Sequence, residues 1–190
     1  MYFTDLPLNE DLLDALYDMH FDECTPVQEH TIPQILSKKD VIGIAQTGTG
    51  KTAAYLLPLL TLLTDDKHPA DAVNALIMAP TRELAKQIDQ ALQGFAYYMN
   101  VNGVAVYGGN DGERYEQERR SLKQGADIVI ATPGRLITHL QLGSLDLSRT
   151  THLILDEADR MLDMGFYDDI MKIVNEMPKE RQTILFSATM

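Results

Sequence analysis

The stretch AQTGTGKT at residues 45–52 decides the fold, since an apolar run of strand length precedes it and a helical pattern follows it. Its glycines allow the backbone to curl, so that N–H groups point at the oxygens of a bound phosphate. By this interpretation Thr47, Gly48, Thr49 and Gly50 form a phosphate-binding loop. Such a loop favours a nucleoside triphosphate with Mg²⁺ as its ligand.

The last two residues of the loop predict how the charge of that ligand is held. Lys51 is expected to neutralise the β and γ phosphates, and the Thr52 hydroxyl to bind Mg²⁺. The positive end of the following helix adds to the attraction. The general pattern begins with glycine, whereas this chain has Ala45. The alternative is a glycine-rich turn with an incidental Lys-Thr pair, and the flanking strand and helix argue against it.

Apolar runs of strand length alternate with helical patterns along the rest of the chain. The runs occupy residues 41–45, 75–79, 104–107, 128–131, 153–155 and 183–186. They are short, nearly continuous and rich in Val and Ile, which is typical of strands buried on both faces. This order predicts an α/β fold with a mostly parallel central sheet and helices on both faces. Residues 1–40 instead have a helical pattern, with Asn9 as a predicted N-cap, and we expect them to belong to the same domain.

Composition limits the class of protein. A chain of 190 residues is long enough for one domain with a sizeable core. The single cysteine, Cys24, excludes an internal disulfide, and the histidines lack metal-ligand spacing. Neither a signal peptide nor a membrane span is evident, so we expect a cytoplasmic protein. The net charge of −12 argues against coating nucleic acid through a broad positive field, but a local phosphate site remains possible.

Acidic residues follow the run at 153–155. Asp156 suits the carboxylate that a phosphate-binding-loop enzyme needs for Mg²⁺, and Glu157 suits the one that orients or deprotonates water. Acids also stabilise the positive start of a helix, which is the alternative interpretation.

Two other strand ends carry a hydroxyl, a proline and an arginine. One is Pro80-Thr81-Arg82, and the other is Thr132-Pro133-Gly134-Arg135. Simple helix capping explains both, with Thr132 at the N-cap and proline in the first turn. A second anion site is the functional alternative, since two helix starts with arginines can hold successive phosphates of one strand.

The segment at residues 21–28 has two interpretations. Thr25 and Gln28 form a predicted capping box, with Pro26 in the first helical turn, and these residues alone favour that structural role. The Gln28 amide can also bind the paired edge of adenine, while Phe21 stacks on the base.

Taken together, the motifs resemble those of the first RecA-like domain of DEAD-box ATP-dependent RNA helicases, over essentially the whole chain. They stand in the family's order as Phe3 and residues 21–28, 45–52, 80–84, 108–109, 132–135, 156–159 and 187–189. The family carries alanine at the position of Ala45 and uses the glutamine to select adenine. By this resemblance, Gln28 serves both the capping box and the adenine contact.

The resemblance implies roles for individual residues. Phe21, Gln28 and the loop bind ATP, with Thr52 and Asp156 on Mg²⁺ and Glu157 positioning the attacking water. Ser187 and Thr189 link to Asp159 and couple hydrolysis to strand separation. The residues implied to contact the RNA sugar–phosphate backbone are Pro80, Thr81, Arg82, Gly109, Thr132, Gly134 and Arg135.

The resemblance also implies a missing partner, because the family's second RecA-like domain has no counterpart in residues 1–190. We therefore expect a fragment, monomeric when isolated, that binds nucleotide but is nearly inactive. The alternatives are a free-standing regulatory module without turnover and, within the enzyme class, a DNA helicase. The motif at 187–189, where the chain stops, favours the fragment, and Asp159 with the Gln28 segment argues against the DNA enzyme.

Overall fold

The computed structural model describes residues 1–65, 68–108 and 112–189. A 3₁₀ turn at Phe3–Asp5 opens the chain. The helices are α1 (Glu10–Asp18), α2 (Pro26–Leu36), α3 (Lys51–Asp65), α4 (Arg82–Phe95), α5 (Gly112–Gln124), α6 (Pro133–Gln141), α7 (Ala158–Asp163) and α8 (Tyr167–Asn175). The strands are β1 (Val41–Ile44), β2 (Ala75–Met78), β3 (Gly103–Val106), β4 (Ile128–Ala131), β5 (His152–Leu155) and β6 (Gln182–Ser187).

The six strands form one sheet in the order β1-β6-β5-β2-β4-β3, and every pair of neighbours is parallel. Each predicted apolar run coincides with one of these strands to within one residue at either end. Parallel neighbours require crossover connections, and a helix lies in each of them. The predicted α/β fold, a parallel central sheet with helices on both faces, is confirmed.

Two hydrophobic cores cover the two faces of the sheet. In β2, Ala75 and Ile77 belong to one core while Leu76 and Met78 belong to the other, as alternation along a strand requires. Helices α1 to α4 supply the first core, and α5 to α8 supply the second. All four residues of β2 and of β4 are buried, which accounts for the continuous apolar runs in the sequence.

Strand β1 departs from the expectation that both faces are buried. It lies at an edge of the sheet, where Ile42 is 68% and Ile44 is 49% exposed. Both residues line a cavity of about 790 Å³ that also includes Pro26 and Val27. The cavity also borders the loop, at Ala45, Gln46, Gly48 and Thr49, and therefore adjoins the phosphate site described below.

The N-terminal helices are anchored by the interactions that their sequence predicts. The Asn9 side chain accepts hydrogen bonds from the N–H groups of Asp11 (2.9 Å) and Leu12 (3.3 Å), and thus caps α1. Leu12 and Leu16 are buried in the first core. In the part of the chain that the structure describes, no helix combines the length and the apolar character needed to cross a bilayer.

Candidate functional site

The carboxyl ends of the strands bring the predicted motifs to one edge of the sheet. The loop at 45–50 follows β1, Asp156 follows β5, and residues 187–189 end β6. On the other side of β5, residues 80–81 follow β2 and Thr132 follows β4. Ligands of open parallel sheets bind beyond this edge. Motifs that are distant in the sequence therefore lie side by side.

The loop between β1 and α3 has the backbone that its glycines allow. Gly48 and Gly50 have φ values of +86° and +80°, a left-handed conformation in which side chains are strained. The Thr49 hydroxyl donates to the Gln46 carbonyl at 2.6 Å, and the Ala45 N–H donates to the Ser187 carbonyl at 2.9 Å. These bonds fix the loop against itself and against β6.

Lys51 and Asp156 meet at the base of the loop. The Lys51 Nζ lies 3.3 Å from the Asp156 Oδ1, and both side chains are buried, at 8% and 0% exposure. The other carboxylate oxygen, Oδ2, accepts a hydrogen bond of 2.7 Å from the hydroxyl of Tyr55. Burial, followed by the charge of Asp156, raises the pKa of Tyr55 well above its usual value, so this phenol remains a donor. Oδ1 has no hydrogen-bond partner among the described residues.

Replacing Tyr55 with Phe tests how strongly this buried carboxylate depends on the phenol. The change removes one hydroxyl from a fully buried ring and leaves Asp156 with one donor fewer. Because hydrogen bonds to charged groups are among the stronger ones, we expect a loss of about 1.5–3 kcal/mol in the free energy of unfolding. Urea denaturation measures it, with Tyr17→Phe on the surface as the control. Equal stability of the two variants would contradict the assigned contact.

Glu157 has an unusual backbone conformation. Its φ of 52° and ψ of 50° place a non-glycine residue in the left-handed region, immediately before α7. Such conformations cost free energy and concentrate at functional sites. Glu157 is half-buried, and its side chain does not cap the helix.

Asp159 joins β6 to α7. Its Oδ2 accepts a hydrogen bond of 3.1 Å from the Thr189 hydroxyl, while the Ser187 hydroxyl donates to the Thr189 carbonyl at 2.6 Å. Burial opposes ionisation of Asp159, but the hydrogen bonds from Thr189 and nearby backbone outweigh it and lower its pKa. The three residues of the predicted coupling link are therefore in contact.

Gln28 connects the start of α2 to the phosphate loop. Its Oε1 accepts from the Thr25 N–H at 2.9 Å, and its Nε2 donates to the Gly50 carbonyl at 3.0 Å. A Cβ at Gly50 would collide with this amide, so the glycine is needed for the close approach as well as for its φ. The side chain is 3% exposed. The capping contact from Gln28 to Thr25 is present, together with a contact to the loop that the sequence did not reveal.

Phe21 lies in a cluster of aromatic rings. Its ring centroid is 5.6 Å from that of Phe95, in an edge-to-face arrangement, and 6.4 Å from that of Phe3. Phe3 is buried, while Phe21 keeps 38% of its surface exposed. Two neighbouring rings thus orient Phe21 and leave part of it accessible.

The strand ends of β2 and β4 carry the hydroxyl and arginine residues. The Thr81 hydroxyl accepts from the Leu84 N–H at 3.2 Å and caps α4, whereas Arg82 is exposed. Pro80 is buried beneath them. Thr132 stands at the N-cap of α6, but its side chain makes no capping hydrogen bond. Gly134 is exposed and has open space around its Cα.

Arg135 turns back beneath the loop that follows β3. Its Nε donates to the Glu118 Oε1 at 2.7 Å, and its guanidinium packs so closely on Gly108 that a Cβ there would lie 2.9 Å from Nε. Gly108 has a φ of +67°. Gly109, also predicted to contact RNA, lies outside the described residues.

Sequence reasoning missed two buried polar residues, Tyr55 and Glu118. Tyr55 occurs in an apolar helix, where a tyrosine normally indicates core packing, and its partner Asp156 is 101 residues away. Glu118 shares a helix face with the buried Leu122, four residues on. The only sequence feature that indicates a buried role for Glu118 is the position of an acidic residue on the apolar face of an amphipathic helix.

Comparison with known proteins agrees with this arrangement. The DEAD/DEAH box helicase family model matches residues 25–190. The chain is 49% identical over 189 residues to the ATP-dependent RNA helicase DeaD of Escherichia coli K12, and 50% identical over 188 residues to the ATP-dependent RNA helicase CshA of Listeria monocytogenes. These matches cover 99% of this chain but only 29% and 35% of the two relatives.

A solved structure has the same fold. The crystal structure of a DEAD box protein from the hyperthermophile Methanococcus jannaschii superposes with a TM-score of 0.91 at 37% identity, covering 100% of this chain and 50% of that one. The family match, the relatives and the shared fold agree with the motifs gathered at the edge of the sheet. The chain therefore belongs to the DEAD/DEAH box helicase family.

Proposed function

We propose that this chain is the ATP-binding first RecA-like domain of an ATP-dependent RNA helicase, which couples ATP binding and hydrolysis to local separation of RNA strands. The observation that carries the proposal is the contact of Lys51 with Asp156. A phosphate-binding lysine and a carboxylate 105 positions later in the sequence meet at 3.3 Å beside the glycine loop. Nucleotide hydrolases of the P-loop class need these two groups together.

Mg²⁺ fits the residues at this point. The Thr52 hydroxyl and the Asp156 carboxylate would hold it. Asp156 Oδ1 is buried and, apart from the ion pair with Lys51, has no hydrogen-bond partner among the described residues. Mg²⁺ is commonly bound through one or two carboxylates together with substrate phosphates, so no larger acidic cluster is required. When bound, the ion neutralises charge that develops on the phosphates.

Glu157 is the proposed general base, or positioner, of the attacking water. Its side chain makes no capping bond, and its left-handed backbone sets the direction of the Cα–Cβ bond. A residue is retained in a costly conformation where the surrounding structure requires it. Lys51, held by Asp156, would stabilise the phosphates while Glu157 orients the nucleophile.

Adenine selection is assigned to Gln28 and Phe21. An amide has two N–H donors and two acceptor lone pairs, and Gln28 uses one of each on Gly50 and Thr25. The remaining donor and acceptor complement the Hoogsteen edge of adenine, where N7 accepts and the N6 amino group donates, rather than the paired edge expected from the sequence. The exposed part of the Phe21 ring is available for stacking.

Loss of adenine selectivity in Gln28→Ala tests this assignment. The wild-type chain should prefer ATP to GTP, and the variant should lose about 10- to 100-fold of that preference, since one bidentate base contact contributes about 1–3 kcal/mol. Competition against a fluorescent adenine nucleotide measures both affinities. Gln34→Ala, an exposed position on the same helix, serves as the control. Unchanged selectivity in Gln28→Ala would remove Gln28 from the adenine site.

RNA would bind across the ends of β2, β3 and β4 by its sugar–phosphate backbone. Thr81 and Arg82 lie at one helix start, while Thr132, Gly134 and Arg135 lie at another, and both starts offer N–H groups to phosphate. Contacts of this kind recognise the shape of the backbone and do not distinguish one base from another. The start of α6 would hold one RNA strand in a bend. A continuous duplex cannot adopt that bend, so the two strands would separate locally. Pro80 supports this surface from below, and Gly109 is assigned to it by family resemblance.

Hydrolysis by this chain alone is proposed to be nearly absent. In the family, the second RecA-like domain supplies arginines to the γ-phosphate and the other half of the RNA groove. The isolated chain is then a weak nucleotide binder, monomeric and cytoplasmic. A regulatory module without turnover would behave in the same way alone, and only the longer chain distinguishes the two.

A further inference from the structure

Glu118, on α5, is a buried carboxylate with an unusual number of partners. Its side chain is 4% exposed. Oε1 accepts from the Arg135 Nε at 2.7 Å and contacts the His139 Nε2 at 3.0 Å. Oε2 accepts from the backbone N–H groups of Tyr107 and Gly108, both at 3.1 Å. None of the roles assigned above uses this residue.

These partners come from two elements other than α5. Tyr107 and Gly108 follow β3, Arg135 and His139 lie on α6, and Glu118 joins them from α5. Two of these segments, the Gly108 loop and the start of α6, belong to the proposed RNA surface. Through Glu118, each is held in place relative to the other.

The surroundings keep Glu118 charged. Burial opposes ionisation, but the hydrogen bonds from His139, Arg135 and Gly108 outweigh it and lower the pKa of the carboxylate. Since an ionised carboxylate only accepts, the facing His139 Nε2 carries the proton. Tyr115 stacks on the His139 ring with centroids 4.5 Å apart and only 5° between the planes.

Arg135 is oriented by this arrangement and remains 16% exposed. Its Nε is bound to Glu118, whereas its Nη2 is buried and has no hydrogen-bond partner among the described residues. The guanidinium also lies 5.1 Å from the centre of the Tyr115 ring. A planar group fixed on one side presents its remaining N–H groups in a defined direction, which is the geometry that phosphate recognition uses.

We propose that Glu118 is a positioning residue for RNA binding, which holds Arg135 and the Gly108 loop in the geometry that contacts the sugar–phosphate backbone. The inference rests on the proposed function of this surface. It assigns to an acidic residue a favourable role in binding a polyanion. The role operates through Arg135 and the Tyr107 and Gly108 N–H groups, and Glu118 does not touch RNA.

The sign of the mutational effect separates this role from simple electrostatics. Removing a negative charge next to an anion site should strengthen anion binding if only long-range charge matters. Loss of positioning should weaken it. We expect Glu118→Leu to reduce affinity for a short labelled single-stranded RNA about tenfold, since several charge-assisted hydrogen bonds are lost. Glu118→Gln, which retains one acceptor oxygen, should show a smaller reduction in the same direction.

Fluorescence anisotropy at low ionic strength measures these affinities. Glu116→Gln is the matched control, because it removes the same charge from the same helix at a side chain that is 46% exposed and paired with Arg119. It should bind RNA as tightly as the wild type or slightly more tightly. Affinity for ATP without RNA should be equal in all variants, as Glu118 lies outside the nucleotide site. Glu118→Gln should lose less affinity when Arg135 is already alanine than it loses in the wild type, because only the contacts with the Gly108 loop then remain to be weakened.

Wild-type or stronger RNA binding by a folded Glu118→Gln would overturn the proposal. If Glu118→Leu does not fold, Glu118→Gln decides the question. A second readout is independent of RNA. In the wild type, the Nε–H resonance of Arg135 should be shifted away from those of exposed arginines and protected from exchange with water. Both properties should be lost in Glu118→Leu, or in Glu118→Ala if Glu118→Leu does not fold. An unprotected Nε–H in the wild type would also refute the inference. Absence of any RNA binding by the wild-type chain joined to a second RecA-like domain would instead count against the proposed function, while the resonance still shows whether Glu118 holds Arg135.

Discussion

Replacing Glu157 with Gln will leave ATP binding intact and reduce hydrolysis about 10²- to 10⁴-fold, in a chain that carries both RecA-like domains. The amide keeps the size of the side chain but can neither accept a proton nor hold the attacking water with a full charge. The backbone at φ 52° requires no change, because glutamine adopts this conformation at the same cost as glutamate. Nucleotide affinity and single-turnover hydrolysis, measured on the same preparation, separate the two effects.

The control is Asp163→Asn, which removes a charge from the exposed end of the same helix, α7. It should hydrolyse ATP at the wild-type rate. Lost ATP binding in Glu157→Gln would show that Glu157 has a structural or metal-binding role. Retained hydrolysis would show that a different residue positions the attacking water.

The second large effect concerns the partner domain. This chain alone should hydrolyse almost no ATP, with or without RNA, and joining it to a second RecA-like domain from a DEAD-box relative should raise the rate about 10³- to 10⁵-fold. The reason is that the described site contains Lys51 as its only cation near Asp156, whereas phosphoryl transfer gains most from an arginine on the γ-phosphate. Steady-state phosphate release measures the rates. Turnover by the isolated chain at the rate of the joined chain would contradict the proposed division of the site.

Features that depend on neighbouring residues were predictable. Asn9 caps α1 through N–H groups two and three positions later, and Gly48 and Gly50 have the φ values that their loop requires. Continuous apolar runs indicated the sheet, because β2 and β4 are buried on both faces. These relations are local or periodic, so the sequence contains them directly.

Features that depend on long-range neighbours were not predictable from one sequence. The exposure of Ile42 follows from the edge position of β1, which strand order determines. The bond from Tyr55 to Asp156 and the contacts of Glu118 with the Gly108 loop and α6 depend on groups that the fold brings together. Thr132 occupies the predicted N-cap but makes no capping bond, since side-chain direction is a tertiary property.

The central claim is that this domain couples ATP hydrolysis to RNA backbone. Its most direct test is the rate of ATP hydrolysis by the joined chain, measured without nucleic acid, with a single-stranded RNA and with DNA of the same sequence. RNA should raise the rate strongly and DNA should not, because the 2′-hydroxyl distinguishes the two backbones. Equal stimulation by RNA and DNA, or none by RNA, would contradict it.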